Sequence, residues 1–127
     1  MKLSKDQYDH LASLLGLYQR DINDVAIEKG WYDPTSGEVK NFLGEVALMH
    51  SELSEAAEEY RKDTPFLYYS EEPKSMGKPE GIAAEFADTI IRILDTAQAR
   101  GIPVIRALQE KHEYNKTRPA RHGGKKC

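Results

Sequence analysis

Two short acid pairs are the residues in this sequence best suited to chemistry. Glu52 and Glu55 stand three apart in Glu-Leu-Ser-Glu, and Glu85 and Asp88 stand three apart in Glu-Phe-Ala-Asp. Residues at that spacing lie a turn apart on one helical face. If the two segments are helices packed antiparallel, four carboxylates can face one cleft. Such a cluster repels itself unless cations intervene. Hard divalent ions take oxygen ligands, and magnesium is commonly held by a few carboxylates, waters and substrate phosphates. Ions placed there could activate a water and steady charge on a phosphoryl centre. Each pair alone is better explained as a solvated helix face, since Glu is a strong helix former and Asp88 can pair with Arg92 one turn on. It is the two pairs together, on the two most apolar helical segments, that point to a site.

The second informative stretch is basic. Lys111 and Asn115 are four apart on one face, and Arg118 extends the row. A cation, an amide donor and a forked guanidinium suit a polyphosphate. The same residues could equally complement the C-terminal end of a helix dipole. Nucleic-acid binding is poorly supported, because one short basic end on an acidic body makes a weak duplex footprint. Other chemistry fails earlier. There is no Glu-x-x-His for a di-iron bundle, and no HExxH, CxxC, P-loop or GxSxG pattern. His10, His50, His112 and His122 are scattered and read as surface or packing residues.

Four helices must position these groups, and no convincing strand is predicted. The first runs from about Ser4, a plausible N-cap, to Glu28, with Leu11, Leu14, Leu15, Tyr18, Ile22 and Val25 at helical spacing. Gly30 stops it, and Trp31 to Gly37 reads as a turn-rich loop. The second runs from about Val39 to Arg61. A long loop, Lys62 to Gly81, follows with three prolines and with Phe66, Tyr68 and Tyr69; loops of that length are usually functional or disordered. The third helix, from about Pro79 or Glu80 to Ala99, is so rich in Ile, Leu and Ala that most of its circumference should be buried. Gly101 and Pro103 mark its stop and the start of a fourth, from about Pro103 to Thr117. Residues 119–127 read as a flexible basic tail.

A chain of 127 residues fits one domain, and at 39% hydrophobic residues its core is modest, so sharing helices with a second subunit would help. The charge of −3 divides into +5 from Lys111 onward and −8 before it. The charged N-terminus has no signal-peptide character, and no run is long enough to span a bilayer. The single cysteine, Cys127, cannot form an internal disulfide. A cytoplasmic setting is the default expectation.

The ordered set Glu-x-x-Glu, Glu-x-x-Asp and Lys-x-x-x-Asn resembles the MazG-like all-α nucleoside triphosphate pyrophosphohydrolases. Lys-Pro-Glu-Gly-Ile-Ala-Ala-Glu-Phe-Ala-Asp, the tail from Glu113 to Lys126, and Ala26 to Asp33 are similar to a small single-domain bacterial and phage branch. The likeness spans about residues 23–125, with one departure. The 29 residues between Glu55 and Glu85 sit at the long edge of the family's spacing.

The resemblance implies an all-α, four-helix MazG-like bundle over residues 1–127, with an N-terminal helix and loop (1–38), catalytic helices (39–118) and the tail. It implies a homodimer or homotetramer and cleavage of a (d)NTP to (d)NMP and pyrophosphate with Mg2+, with Mn2+ as the alternative ion. On this reading Glu52, Glu55, Glu85 and Asp88 are the metal ligands. Lys111 and Asn115 hold phosphates, with Arg118 helping and Lys116, Arg121 and Lys125 as weaker candidates. A water deprotonated by Glu52 or Glu55 attacks the α-phosphorus. Trp31, Tyr32, Asn41 and His50 are candidates for reading base and sugar, although both aromatics could equally be packing residues. Two other readings stand beside this one: a non-catalytic helical interaction module, and a dUTPase-like or phosphoribosyl-ATP pyrophosphohydrolase.

Overall fold

The computed structural model describes residues 1–36, 40–71 and 77–119. Val39, expected to open the second helix, lies outside them, as do the tail beyond Pro119, Arg121 and Lys125. The first helix, α1 (Lys5–Glu28), begins where the sequence puts its cap. Ser4 Oγ accepts the Gln7 N–H at 3.2 Å, and Gln7 Oε1 accepts the Ser4 N–H at 2.9 Å, a complete capping box. Gly30, at φ 83°, turns the chain out of it. A single 3-10 turn, Pro34–Ser36, follows.

The second helix, α2 (Phe42–Arg61), starts three residues later than Val39. Asn41 is extended, and its Oδ1 accepts the Gly44 N–H at 2.8 Å. That bond satisfies one of the orphan donors of the first turn, so the helix begins there. The expectation of no strand is also corrected. Within the long loop, β1 (Tyr68–Tyr69) pairs antiparallel with β2 (Pro79–Glu80). The pairing leaves Pro79 and Glu80 extended, so the third helix, α3 (Ile82–Arg100), starts after them. Glu59 anchors the loop's base, its carboxylate accepting the Thr64 hydroxyl at 2.6 Å and the Tyr68 hydroxyl at 3.0 Å. Gly101, left-handed at φ 65°, ends α3. The last helix, α4 (Val104–Thr117), follows Pro103.

The centre of the fold is the packing of α2 on α3, with α1 against α3 and α4 on α1. Arg92 bonds Glu52 and Arg100 bonds Glu45, so α2 and α3 run antiparallel. The buried apolar residues are small: Ala56, Ala84 and Ala97. Among the described residues the other buried positions are Gly81 and the polar Asn23, Glu45, Glu52, Thr89, Asp95 and Thr96. The expected burial of most of α3 is not met. Phe86 and Ile90 are 52% and 56% exposed, because α3 meets neighbours on only part of its circumference. The chain exposes 10300 Å2. A compact monomer of its 14.4 kDa exposes about 6,800 Å2. No described helix is long and apolar enough to cross a membrane.

Two glycines give opposite expectations. Gly81 has φ 99°, and a Cβ there would lie 2.7 Å from the Phe66 carbonyl oxygen and 2.8 Å from that of Pro65. The Phe66 carbonyl also accepts the Ala83 N–H at 2.9 Å, fixing the start of α3. Gly81→Ala should cost about 2 kcal/mol or more. A Cβ on Gly16, within α1, meets nothing within 4 Å, so Gly16→Ala should gain about 0.5–1 kcal/mol. Thermal unfolding of the two variants checks this; equal midpoints would contradict it.

Candidate metal centre and its adjoining cleft

The antiparallel packing of α2 and α3 brings acids from both helices together. Glu52, Glu85 and Asp88 each offer a carboxylate oxygen, and the three lie within 4.8 Å of one another. Glu52 is buried, Glu85 half-buried and Asp88 exposed. Glu55, a turn beyond Glu52, stands outside the trio and is exposed. Its charge still reaches the cluster. Burial first, then the Glu55 charge, then a hydrogen bond to Glu52 and the charges of Glu52 and Asp88 push Glu85 from its ordinary 4.5 to about 7. Burial and the Glu52 charge raise Asp88 as well, against Arg92 and Lys78. A carboxylate that keeps its proton near neutrality shows how much negative charge is crowded here. Oxygen donors grouped in this way could hold a hard divalent cation.

Arg92 supplies part of the counter-charge. Its Nε donates to Glu52 Oε1 at 2.7 Å, across from α3 to α2, and not to Asp88 on its own helix. Two turns of each helix further on, Arg100 Nε donates to Glu45 Oε2 at 2.6 Å. Breaking such a partly buried pair by removing one partner is strongly destabilising, because the other charge is left uncompensated.

A cleft of about 280 Å3 opens beside the acids. Ile22, Val25, Ala26, Ile91 and Trp31 form its apolar wall. Glu52, Asp88, Arg92, Lys29 and Asp95 supply its polar groups. Asp95 is buried and fully engaged by its neighbours. Its Oδ1 accepts Asn23 Nδ2 at 2.8 Å, and its Oδ2 accepts the Tyr32 hydroxyl at 2.8 Å and Lys40 Nζ at 3.5 Å. Lys40 Nζ also lies 3.8 Å from the Tyr32 ring centroid and 5.8 Å from that of Trp31. Tyr32 and Lys40 are thereby strapped to α3. Burial, then the bond to Asp95, hold the Tyr32 hydroxyl protonated well above its usual range.

The sequence-predicted residues divide accordingly. Glu52, Glu85 and Asp88 come together, Glu52 and Asp88 line the cleft with Trp31, and Glu55 lies outside both the trio and the cleft lining. Tyr32 is tied up with Asp95, and Asn41 caps α2. His50 is exposed on α2 and does not line the cleft. Lys111 and Asn115 line a different groove, with Tyr8, Leu11 and Lys116. Gln109 Nε2 donates to the Tyr8 carbonyl at 2.9 Å and Lys116 Nζ to the Tyr8 hydroxyl at 2.8 Å, which seats α4 on the first turns of α1. Arg118 is exposed at the end of α4. Within the protomer the basic row and the carboxylates therefore share no cleft. Sequence reasoning missed Asn23, Lys40 and Asp95 and gave Arg92 only a local role. A signal existed: Asp88, Arg92 and Asp95 fall at i, i+4 and i+7 on one face of an otherwise apolar helix. No family model, curated protein or solved structure matches the chain.

The crowding at Glu85 has a pH signature. Its folded pKa lies above its ordinary value, so between about 4.5 and about 7 the folded state holds more proton than the unfolded. In chelator, stability contributed by this group should be full below 4.5 and fall as pH rises through 7. Glu85→Gln should flatten that decline. Melting temperature against pH for both proteins is the check, and identical slopes would contradict it.

Proposed function

We propose that this chain is a magnesium-dependent nucleoside triphosphate pyrophosphohydrolase of MazG-like kind, cleaving a (d)NTP to (d)NMP and pyrophosphate. The observation that carries the reading is the meeting of Glu52, Glu85 and Asp88, two of which, Glu52 and Asp88, line a cleft with an apolar wall. Hydrolysis of a phosphoanhydride needs negative charge to be met and a water to be placed. Magnesium held by these three carboxylates, with Mn2+ as the alternative, would neutralise phosphate charge and acidify a water. The chain's own residues do the rest. Glu52 is fixed by Arg92 and suits a ligand role. Glu55 is exposed at the edge of the trio, and among the described residues its carboxylate takes part in no hydrogen bond or ion pair. It is the acid free to take the proton of the attacking water.

The cleft supports a nucleoside beside the phosphates. Trp31 and the aliphatic wall offer a face for a base. Asp95, about 10 Å along α3 from Asp88, holds Tyr32 and Lys40 and so supports Trp31 at that wall. Incubation with each (d)NTP and Mg2+ should yield pyrophosphate and the monophosphate from at least one. Glu55→Gln should lower kcat about 100-fold or more while Mg2+ binding persists. No turnover of any nucleotide, or full activity in Glu55→Gln, would overturn the proposal.

We also propose that the working unit is a dimer or tetramer. Leu53, Tyr60, Phe86, Ile90 and Leu108 are each 47% exposed or more. A surface so apolar is stable in water when a second copy covers it. Sedimentation at micromolar concentration should give a multiple of 14.4 kDa; a monomer would refute this.

A further inference from the structure

The acids need a phosphate-facing cation, and the basic row of α4 does not reach them within the protomer. Two cations do line the cleft, Lys29 and Arg92. Arg92 is the one held in place. It stands one turn beyond Asp88, 30% exposed, with its Nε bonded to the buried Glu52. A guanidinium carries five N–H donors in a fixed plane, four of them on the two terminal nitrogens. Among the described residues Arg92 makes this one protein hydrogen bond, through Nε. The Nη1 and Nη2 edge is left to whatever enters the cleft.

Arg100 provides an internal comparison. It makes the same bond through Nε, to the buried Glu45, and it is 34% exposed. Its guanidinium lies 5.5 Å from the Phe42 ring centroid, and it does not line the cleft. The two arginines thus brace α2 against α3 in the same way. Only Arg92 has, in addition, a position beside the carboxylates.

We infer that Arg92 binds substrate phosphate as well as bracing the helices. Its Nε fixes Glu52 through Oε1. Its Nη groups donate to non-bridging oxygens of the triphosphate, a geometry that an arginine fork matches and a lysine ammonium does not. The inference rests on the hydrolase reading above, and it names a phosphate contact on α3 in place of one on α4. No bond is made or broken by Arg92; it positions and neutralises.

Calorimetry on the full chain tests this with two probes that carry no base: Mg2+ alone, and inorganic triphosphate with Mg2+. The variants are Arg92→Lys, Arg92→Met, Arg100→Lys and Arg100→Met. Both Lys variants keep the cation beside its glutamate and so preserve the fold if a Met variant does not. Arg92→Lys should bind Mg2+ as tightly as wild type or more so, since a competing cation is less firmly placed. It should bind triphosphate roughly tenfold to a hundredfold more weakly, the loss expected for charge-assisted hydrogen bonds. Arg100→Lys should lower the melting temperature but leave triphosphate binding unchanged. Unchanged triphosphate affinity in the Arg92 variants would overturn the role, as would Mg2+ and triphosphate affinity falling together. Wild type that binds neither probe would overturn the hydrolase reading itself. Wild type that binds both, with Arg92 variants that match it, would overturn only the part given to Arg92.

Discussion

Glu45 and Glu52 are buried on the α2 face that packs against α3, and that burial organises the molecule. An ionised carboxylate taken out of water must be met by a cation or donors, or it takes up a proton. Arg100 and Arg92 answer for these two acids and in doing so set the antiparallel register of the helices. Among the described residues Glu85 has no such cation. It lies against Glu52, Glu55 and Asp88, and it responds by holding its proton to about 7. The unmet charge marks the place where a divalent cation would do most.

The cleft depends on the same economy of charge. Asp95 continues the polar face of α3 and is satisfied by Asn23 from α1 and by Tyr32 and Lys40 from the connecting segment. Those bonds hold Trp31 beside the apolar wall and so shape the space next to the acids. The fully buried apolar positions hold small residues, and larger ones such as Ile22, Val46 and Leu94 are half-buried around them. The structure thus joins a polar, well-connected interior to partly exposed apolar faces.

Much of this was legible in the sequence because local rules decided it. Ser4 announced the start of α1, and Gly101 the end of α3. The three-residue spacing of the acids predicted their shared faces, and the structure joins Glu52, Glu85 and Asp88. What was not legible depended on partners distant in sequence. Arg92 chooses Glu52, 40 positions away, over Asp88 one turn away. Asn41 looked like a reader of the nucleoside until its cap bond was seen. Pro79 and Glu80 read as the start of a helix, and pairing with Tyr68 and Tyr69 made them a strand. Lys111 and Asn115 carried a phosphate-binding pattern, but helix docking places them beside Tyr8, and sequence periodicity does not encode docking.

The central claim is that the carboxylates of α2 and α3 hold a divalent cation. A melting curve at pH 7.5, recorded in chelator and then across a Mg2+ titration, tests it most directly, with Asp88→Asn as the comparison. The account predicts a melting temperature that climbs with Mg2+ in wild type, since a ligand bound only by the folded state stabilises it. It predicts little or no rise in Asp88→Asn. A wild-type curve that ignores Mg2+, or an equal rise in both proteins, would contradict it.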